Sequence, residues 1–221
     1  MQMRGFLFDL DGTLLDSMPM WHDLDRRFLA EFGIAAPPDI SDIVKAMNIE
    51  QSSAYLVERF NLPISPAAVQ QRVEALAADA YRFDLKLKNG ADTLISELRR
   101  RGVICAVASV TYPSLMSAAL ERLGISPHLQ VAMTPTSEMN GKHSPAFYQA
   151  VLEKVGLTPA ETVIAEDALY AAQTAKQMGC FTIGVKDDLA KHEWNALDHL
   201  CDRTIHDWNE LLCPDFLDMF S

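Results

Sequence analysis

The sequence predicts an α/β protein, a doubly wound parallel sheet carrying a small all-helical insert. Three observations predict it. Short apolar runs alternate with helical segments from residue 89 to about 205, the pattern of parallel strands joined by crossover helices. A further apolar run, Phe6-Leu7-Phe8, opens the chain and reads as a fully buried strand. Between the two, residues 16–83 keep helical spacing with no strand-like stretch. The first strand must therefore rejoin the sheet across the insert. The expected division is a core domain from 1–15 and 87–221 and a helical domain over 16–86, with linkers near 13–16 and 83–89.

Each element has its own signal. Asp16 or Ser17 can cap a helix over 18–32, with Pro19 tolerated in its first turn. Trp21, Leu24, Phe28 and Phe32 keep its spacing and Gly33 stops it. Pro37-Pro38 reads as a linker, and helices follow at 40–47 and 49–60, the second with Tyr55, Leu56 and Phe60 on one face. Pro66 opens the last helix of the insert, through Val69, Val73, Leu76, Ala80 and Phe83. After Asn89-Gly90, helices are expected at 91–101, 114–123, 145–155 and 169–178. Strands alternate with them at 103–108, 129–133, 162–165 and 181–185, and a weak helix at 192–199 precedes a short strand at 204–205.

Composition narrows the function classes. A chain of 221 residues is one large domain or a domain with a modest insert, and 49% apolar residues suffice for a core. No apolar run approaches the ~18 residues that cross a membrane, and the N-terminus lacks a signal-peptide pattern. Cys105, Cys180, Cys201 and Cys213 form no C-x-x-C pair, which argues against zinc or a redox couple and for reduced thiols in a cytoplasmic protein. A formal charge of −11 disfavours nucleic acid. A monomer or weak homodimer, away from membranes, is expected.

The chemistry gathers where strands end. Asp9 and Asp11 follow the first strand, and Gly12-Thr13 turns the chain. Residues i and i+2 of a strand share a side, so both acids point into the crevice where open parallel sheets bind ligands. Adjacent carboxylates stay ionised only beside a cation, and oxygen ligands suit Mg²⁺. Taken alone, D-x-D-G is also a common surface turn. Ser109, with the adjacent N–H groups of the next strand end, offers a phosphate seat. Lys142 lies in a loop before a helix opened by Pro145, and Glu166-Asp167 ends another apolar strand.

These four pieces, in the order D-x-D, Ser, Lys, Glu-Asp, resemble the four signatures of the haloacid dehalogenase (HAD) superfamily of phosphohydrolases. The string FDLDGTLLDS at 8–17 and the Gly141-Lys142-x-x-Pro145 pattern belong to the likeness, which spans nearly the whole chain. The resemblance implies Asp9 as nucleophile, forming an aspartyl-phosphate, and Asp11 as general acid and then base. It implies Mg²⁺ held by Asp9, the Asp11 carbonyl and Asp167, with Glu166 a ligand or support. Ser109 and the N–H groups of Leu10, Asp11 and Val110 would hold phosphoryl oxygens, and Lys142 would offset the charge. An acid at position 11 separates the chain from the family's dehalogenases, which lack one there.

The insert resembles the cap of β-phosphoglucomutases and their relatives. Trp21, His22 and Lys45 are its candidates for facing the substrate, while the mutases' phosphate-gripping arginine falls on Ile49. Departures from the family pattern are His143, Ala146, Ala168 and Ala171, none at an expected ligand; His143 is not expected to touch substrate. The function expected is a Mg²⁺-dependent phosphomonoesterase acting on a small phosphorylated metabolite, sugar phosphates included. A β-phosphoglucomutase-like transferase and a catalytically silent phosphate-binding regulatory module are the alternatives.

Overall fold

The computed structural model describes residues 2–45 and 47–221. Its strands are β1 (Gly5–Phe8), β2 (Ile104–Ala108), β3 (Val131–Met133), β4 (Thr162–Glu166), β5 (Phe181–Val185) and β6 (Arg203–Ile205). They form one sheet in the order β3-β2-β1-β4-β5-β6 with every pair parallel. This is the doubly wound α/β architecture that the alternation predicts. The helices are α1 (Met18–Ala30), α2 (Ile40–Lys45), α3 (Ile49–Phe60), α4 (Pro66–Asp79) and α5 (Ala91–Arg100). Then come α6 (Pro113–Arg122), α7 (Pro145–Val155), α8 (Leu169–Gln177), α9 (Trp194–Leu200) and α10 (Pro214–Leu217).

The strand order positions the site. From β1 the chain winds out through β2 to β3, then returns to the other side of β1 for β4. Open parallel sheets bind ligands where the winding direction reverses. Register adds precision: Phe8 pairs with Val107 on one side and Ala165 on the other. Asp9 thus leaves the sheet between Ser109 and Glu166-Asp167.

The two faces of β1 sort its side chains with the period of two that a strand imposes. Phe6 and Phe8 join a core with Leu94, Leu98, Leu115 and Leu120 of α5 and α6. Leu7 joins the opposite one, with Phe147, Val151 and Leu152 of α7. Beyond residue 205, where the sequence suggested no regular element, 3₁₀ turns at Trp208–Leu211 and Asp218–Phe220 flank α10. Their role is to cover the Phe6–Phe8 face. The Trp208 ring lies 5.5 Å from that of Phe8 and 6.2 Å from that of Phe6, and its indole N–H donates to the Thr13 carbonyl at 3.2 Å. Trp208→Ala should therefore cost about 3–5 kcal/mol, read as a lower urea midpoint.

The insert holds α1 to α4, and α4 runs into a π-helical turn at Ala80–Asp84. It has its own apolar cluster, including Phe28, Leu29, Ile40, Leu56, Leu62 and Val69. Helix α1 ends two residues before the expected boundary because the chain reverses at Gly33, φ 71°, with the Ile34 N–H bonded to the Leu29 carbonyl. The helix expected at 40–47 is described over Ile40–Lys45, residue 46 lies outside the described residues, and Met47 is not helical. Ser17 stands at the α1 cap position, but its hydroxyl accepts from the Gly12 N–H at 3.2 Å instead of capping. Helix α3 begins as expected, with Asn48 and Gln51 capping each other's N–H groups. The two connections to the insert run side by side, Asp16 N–H to Lys86 carbonyl at 3.0 Å and Lys88 N–H to Leu14 carbonyl at 2.8 Å.

Candidate active site

Asp9 is fixed by its backbone: its N–H donates to the Ala165 carbonyl at 3.0 Å. Carboxylate oxygens of Asp9, Glu166 and Asp167 lie within 4.8 Å of one another, and all three residues are buried. Lys142 donates to Asp9 Oδ1 and, at 2.7 Å, to Glu166 Oε1. The Tyr148 hydroxyl donates to the same Glu166 oxygen at 2.5 Å. From the insert, Lys45 Nζ reaches Asp167 Oδ2 at 2.5 Å. Burial pushes the Asp9 and Glu166 carboxyls above their ordinary range, opposed by Lys142. Burial alone would lower Lys142, but Asp9 and Glu166 outweigh it and hold the ammonium charged.

Asp11 has different surroundings. Its Oδ1 accepts from the Tyr81 hydroxyl at 2.5 Å. That hydroxyl in turn accepts from Trp21 Nε1–H at 3.0 Å and lies 3.3 Å from Thr111 Oγ1. Burial raises the Asp11 pKa, and the hydrogen bond from Tyr81 only partly offsets it. One carboxyl sits against an ammonium and the other among neutral hydroxyls. Burial raises both, but a charged group opposes the rise at Asp9 and only neutral ones oppose it at Asp11.

A cavity of about 150 Å³ separates the strand ends from the insert. Asp9, Asp11, Ser109, Val110, Lys142 and the Glu166-Asp167 pair line its floor, and Trp21 and Lys45 reach it from the insert. Leu10 has a fully buried side chain, so it can offer the cavity only backbone. His22 does not line the cavity. His143 stacks on Tyr170 with ring centroids 4.3 Å apart. Residues 6–185 match the family of haloacid dehalogenase-like hydrolases.

The chain belongs to that family.

Among its curated relatives is Hexitol phosphatase A of Escherichia coli, 29% identical over 90% of each chain. Similar solved structures include CbbY from Rhodobacter sphaeroides in complex with phosphate, at 21% identity and TM-score 0.85, covering 98% of this chain and 99% of that one. β-Phosphoglucomutase from Clostridium difficile superposes with TM-score 0.81 at 16% identity, over 99% and 97%. The HAD fold is thus shared along the whole chain, insert included.

The acidic cluster fits a hard divalent cation. Its donors are all carboxylate oxygens, and four carboxyl groups (Asp9, Asp11, Glu166, Asp167) face two ammonium groups (Lys45, Lys142). Gly12 makes room for the cluster. It has φ +80°, and a Cβ there would lie 2.5 Å from Asp167 Oδ2. Gly12→Ala should cost about 1–2 kcal/mol in backbone strain and weaken divalent-ion binding by displacing Asp167, both measurable by thermal shift with and without Mg²⁺.

Tyr81 and Tyr148 escaped the sequence reading. Both sit on helical faces whose spacing marks them simply as packing residues. Tyr148 follows Lys142 by six positions on the first turn of α7, the one local hint that a hydroxyl would join the lysine's network.

Proposed function

We propose that this HAD-family chain is a Mg²⁺-dependent phosphomonoesterase, hydrolysing a small phosphorylated metabolite through an aspartyl-phosphate on Asp9. The observation that carries the proposal is the unequal pair two residues apart, Asp9 bonded to Lys142 and Asp11 bonded to Tyr81. In the first step an Asp9 oxygen bonds to phosphorus as the ester P–O bond breaks, and Asp11 gives its proton to the departing oxygen. In the second, a water oxygen bonds to phosphorus as the Asp9 Oδ–P bond breaks, phosphate leaves, the Asp9 carboxylate is regenerated, and Asp11 takes a proton from the attacking water. Ser109, with the N–H groups of Leu10, Asp11 and Val110, holds phosphoryl oxygens, and Lys142 offsets the charge gathering on them. Asp9, Asp167 and the Asp11 carbonyl would hold Mg²⁺, with Glu166 a ligand or support. Bound there, the ion would screen the repulsion between a carboxylate and a phosphate dianion.

In this reading residues 16–86 act as a cap over a core of 1–15 and 87–221. Its support is the insert's own apolar cluster and its paired connections. Lys45 and Trp21 are its residues at the substrate, and His22 has less support because it does not line the cavity. The curated relative named for hexitols makes phosphorylated sugars and polyols the first substrates to try. A mutase must also grip a second phosphate. Among the described residues lining the cavity the only cations are Lys45 and Lys142, both ion-paired, and Ile49 lines it where the mutases carry arginine. That favours hydrolysis over transfer. The intact set of acids and lysine speaks against a silent binding module.

Phosphate release from a panel of phosphorylated sugars and polyols is the test. Release should require Mg²⁺, stop with EDTA and return when Mg²⁺ is added in excess. Full activity in EDTA after exhaustive dialysis would refute the metal requirement. Isomerisation of β-glucose 1-phosphate with a bisphosphate primer, in place of release, would select the mutase.

A further inference from the structure

The cap side of the cavity is mostly apolar, with Trp21, Val44, Leu56, Val69 and Val73 on its wall. Three serines, one acid and Lys45 interrupt it. Ser52 and Ser53 are spent, since both hydroxyls donate to the Ile49 carbonyl, at 3.1 and 2.7 Å. Ser41, on α2, is different. It is 7% exposed, and among the described residues its Oγ is the one buried side-chain oxygen or nitrogen without a hydrogen-bond partner. Asp25, on α1, is 9% exposed and lines the same cavity. The two are neighbours: Ser41 moderates the rise that burial imposes on the Asp25 carboxyl, yet no bond of proper geometry joins them.

Buried polar groups are expected to find partners, and both residues line the cavity a substrate must fill. We infer that Asp25 and Ser41 form a cap-side subsite for a hydroxyl or ammonium group at the far end of the substrate, selecting neutral or amino-bearing alcohol monophosphates over doubly anionic ones. The inference rests on the phosphatase reading for the phosphate end alone.

Charge decides the class. A far-end carboxylate or second phosphate would meet the Asp25 carboxyl group, and like charges repel in a low-dielectric cavity. The two lining lysines stand at the other end of the cavity, among the strand-end acids, Lys45 paired with Asp167 and Lys142 with Asp9 and Glu166. A hydroxyl can donate to Asp25 and accept from Ser41 at once, and an ammonium can pair with Asp25. The apolar wall takes up the carbon chain between the two ends. A site built to bond a hydroxyl discriminates strongly against the analogue that lacks it, because its own polar groups are then left unpaired.

The test uses the full chain with Mg²⁺ and a matched series: n-butyl, 4-hydroxybutyl, 4-aminobutyl and 4-carboxybutyl phosphates, with their five- and six-carbon counterparts. The hydroxyl and amino esters should exceed the alkyl ester by at least about tenfold in kcat/KM, and the carboxyl ester should be the poorest. Asp25→Leu and Ser41→Ala should compress these ratios, and Asp25→Leu should relieve the exclusion of the carboxyl ester. A native enzyme that treats all four alike, or favours the carboxyl end, overturns the subsite even if a variant fails to fold. Calorimetric binding of the same esters to Asp9→Asn separates the two readings. Discrimination in binding without any turnover would remove the phosphatase reading and keep the subsite. Turnover of p-nitrophenyl phosphate with a flat series would do the reverse.

Discussion

Asp9→Asn should abolish phosphate release, lowering it by roughly 10³-fold or more, while the protein stays folded. The amide is nearly isosteric with the carboxylate, and the backbone bond from the Asp9 N–H to the Ala165 carbonyl is untouched. What disappears is the proposed nucleophile. Asp9 is 5% exposed at the end of a strand buried on both faces, so its carboxylate is held in place with few alternative orientations. Lys142 loses one partner but keeps Glu166 at 2.7 Å, which leaves the ammonium charged and the network largely intact. Loss of activity with an unchanged circular dichroism spectrum and urea midpoint would match this account. Rapid acid quenching of the native enzyme should also trap a phosphoryl group on Asp9, detectable by mass spectrometry. Retention of more than a tenth of native activity in Asp9→Asn would place the nucleophile elsewhere.

The floor of the site was legible in the sequence because buried parallel strands announce themselves. Phe6-Leu7-Phe8 and Thr162-Val163-Ile164-Ala165 are apolar runs that can only be interior, so an acid directly after each must lie at a strand end. Gly141-Lys142 before Pro145 is readable for a related reason, since Pro at a helix start fixes where the loop ends. The bounds of α3, α7 and β5 agree with the sequence reading residue for residue. The walls of the cavity were less legible. Tyr81 meets Asp11 across 70 residues, and Lys45 meets Asp167 across 122. Periodicity places a residue on a helix face without saying what that face meets. Lys45 reads equally well as a solvated charge, and Tyr81 as packing. The segment after residue 205 failed for another reason: its turns are too short to show a period, and Trp208, Phe216 and Phe220 are ordered by the phenylalanine face they cover.

Asp11→Asn should leave a different signature, one that depends on the leaving group. An alkoxide is too basic to depart without a proton, so hydrolysis of alkyl and sugar phosphates should fall by about 10²–10⁴-fold. p-Nitrophenolate departs readily without one. With p-nitrophenyl phosphate the variant should therefore transfer the phosphoryl group to Asp9 quickly, then stall, because in the proposed mechanism Asp11 is also the base for the attacking water. Stopped-flow absorbance should record a burst of about one equivalent of p-nitrophenol followed by a slow steady state. No burst should appear with alkyl esters. Equal loss on both substrates in a single turnover would remove Asp11 from the role of acid. Tyr81→Phe should show the same skew on a smaller scale, roughly tenfold on alkyl esters. It removes the hydroxyl that donates to Asp11 Oδ1 but keeps the ring that packs against Trp21 at 6.1 Å. Because Tyr81 belongs to the turn by which the chain leaves the helical insert, its bond to Asp11 would tie the position of the insert to the aim of the proposed acid. A purely structural role for Tyr81 would slow aryl and alkyl esters alike, so the ratio of the two rates, and not either rate alone, tells whether the tyrosine acts through Asp11.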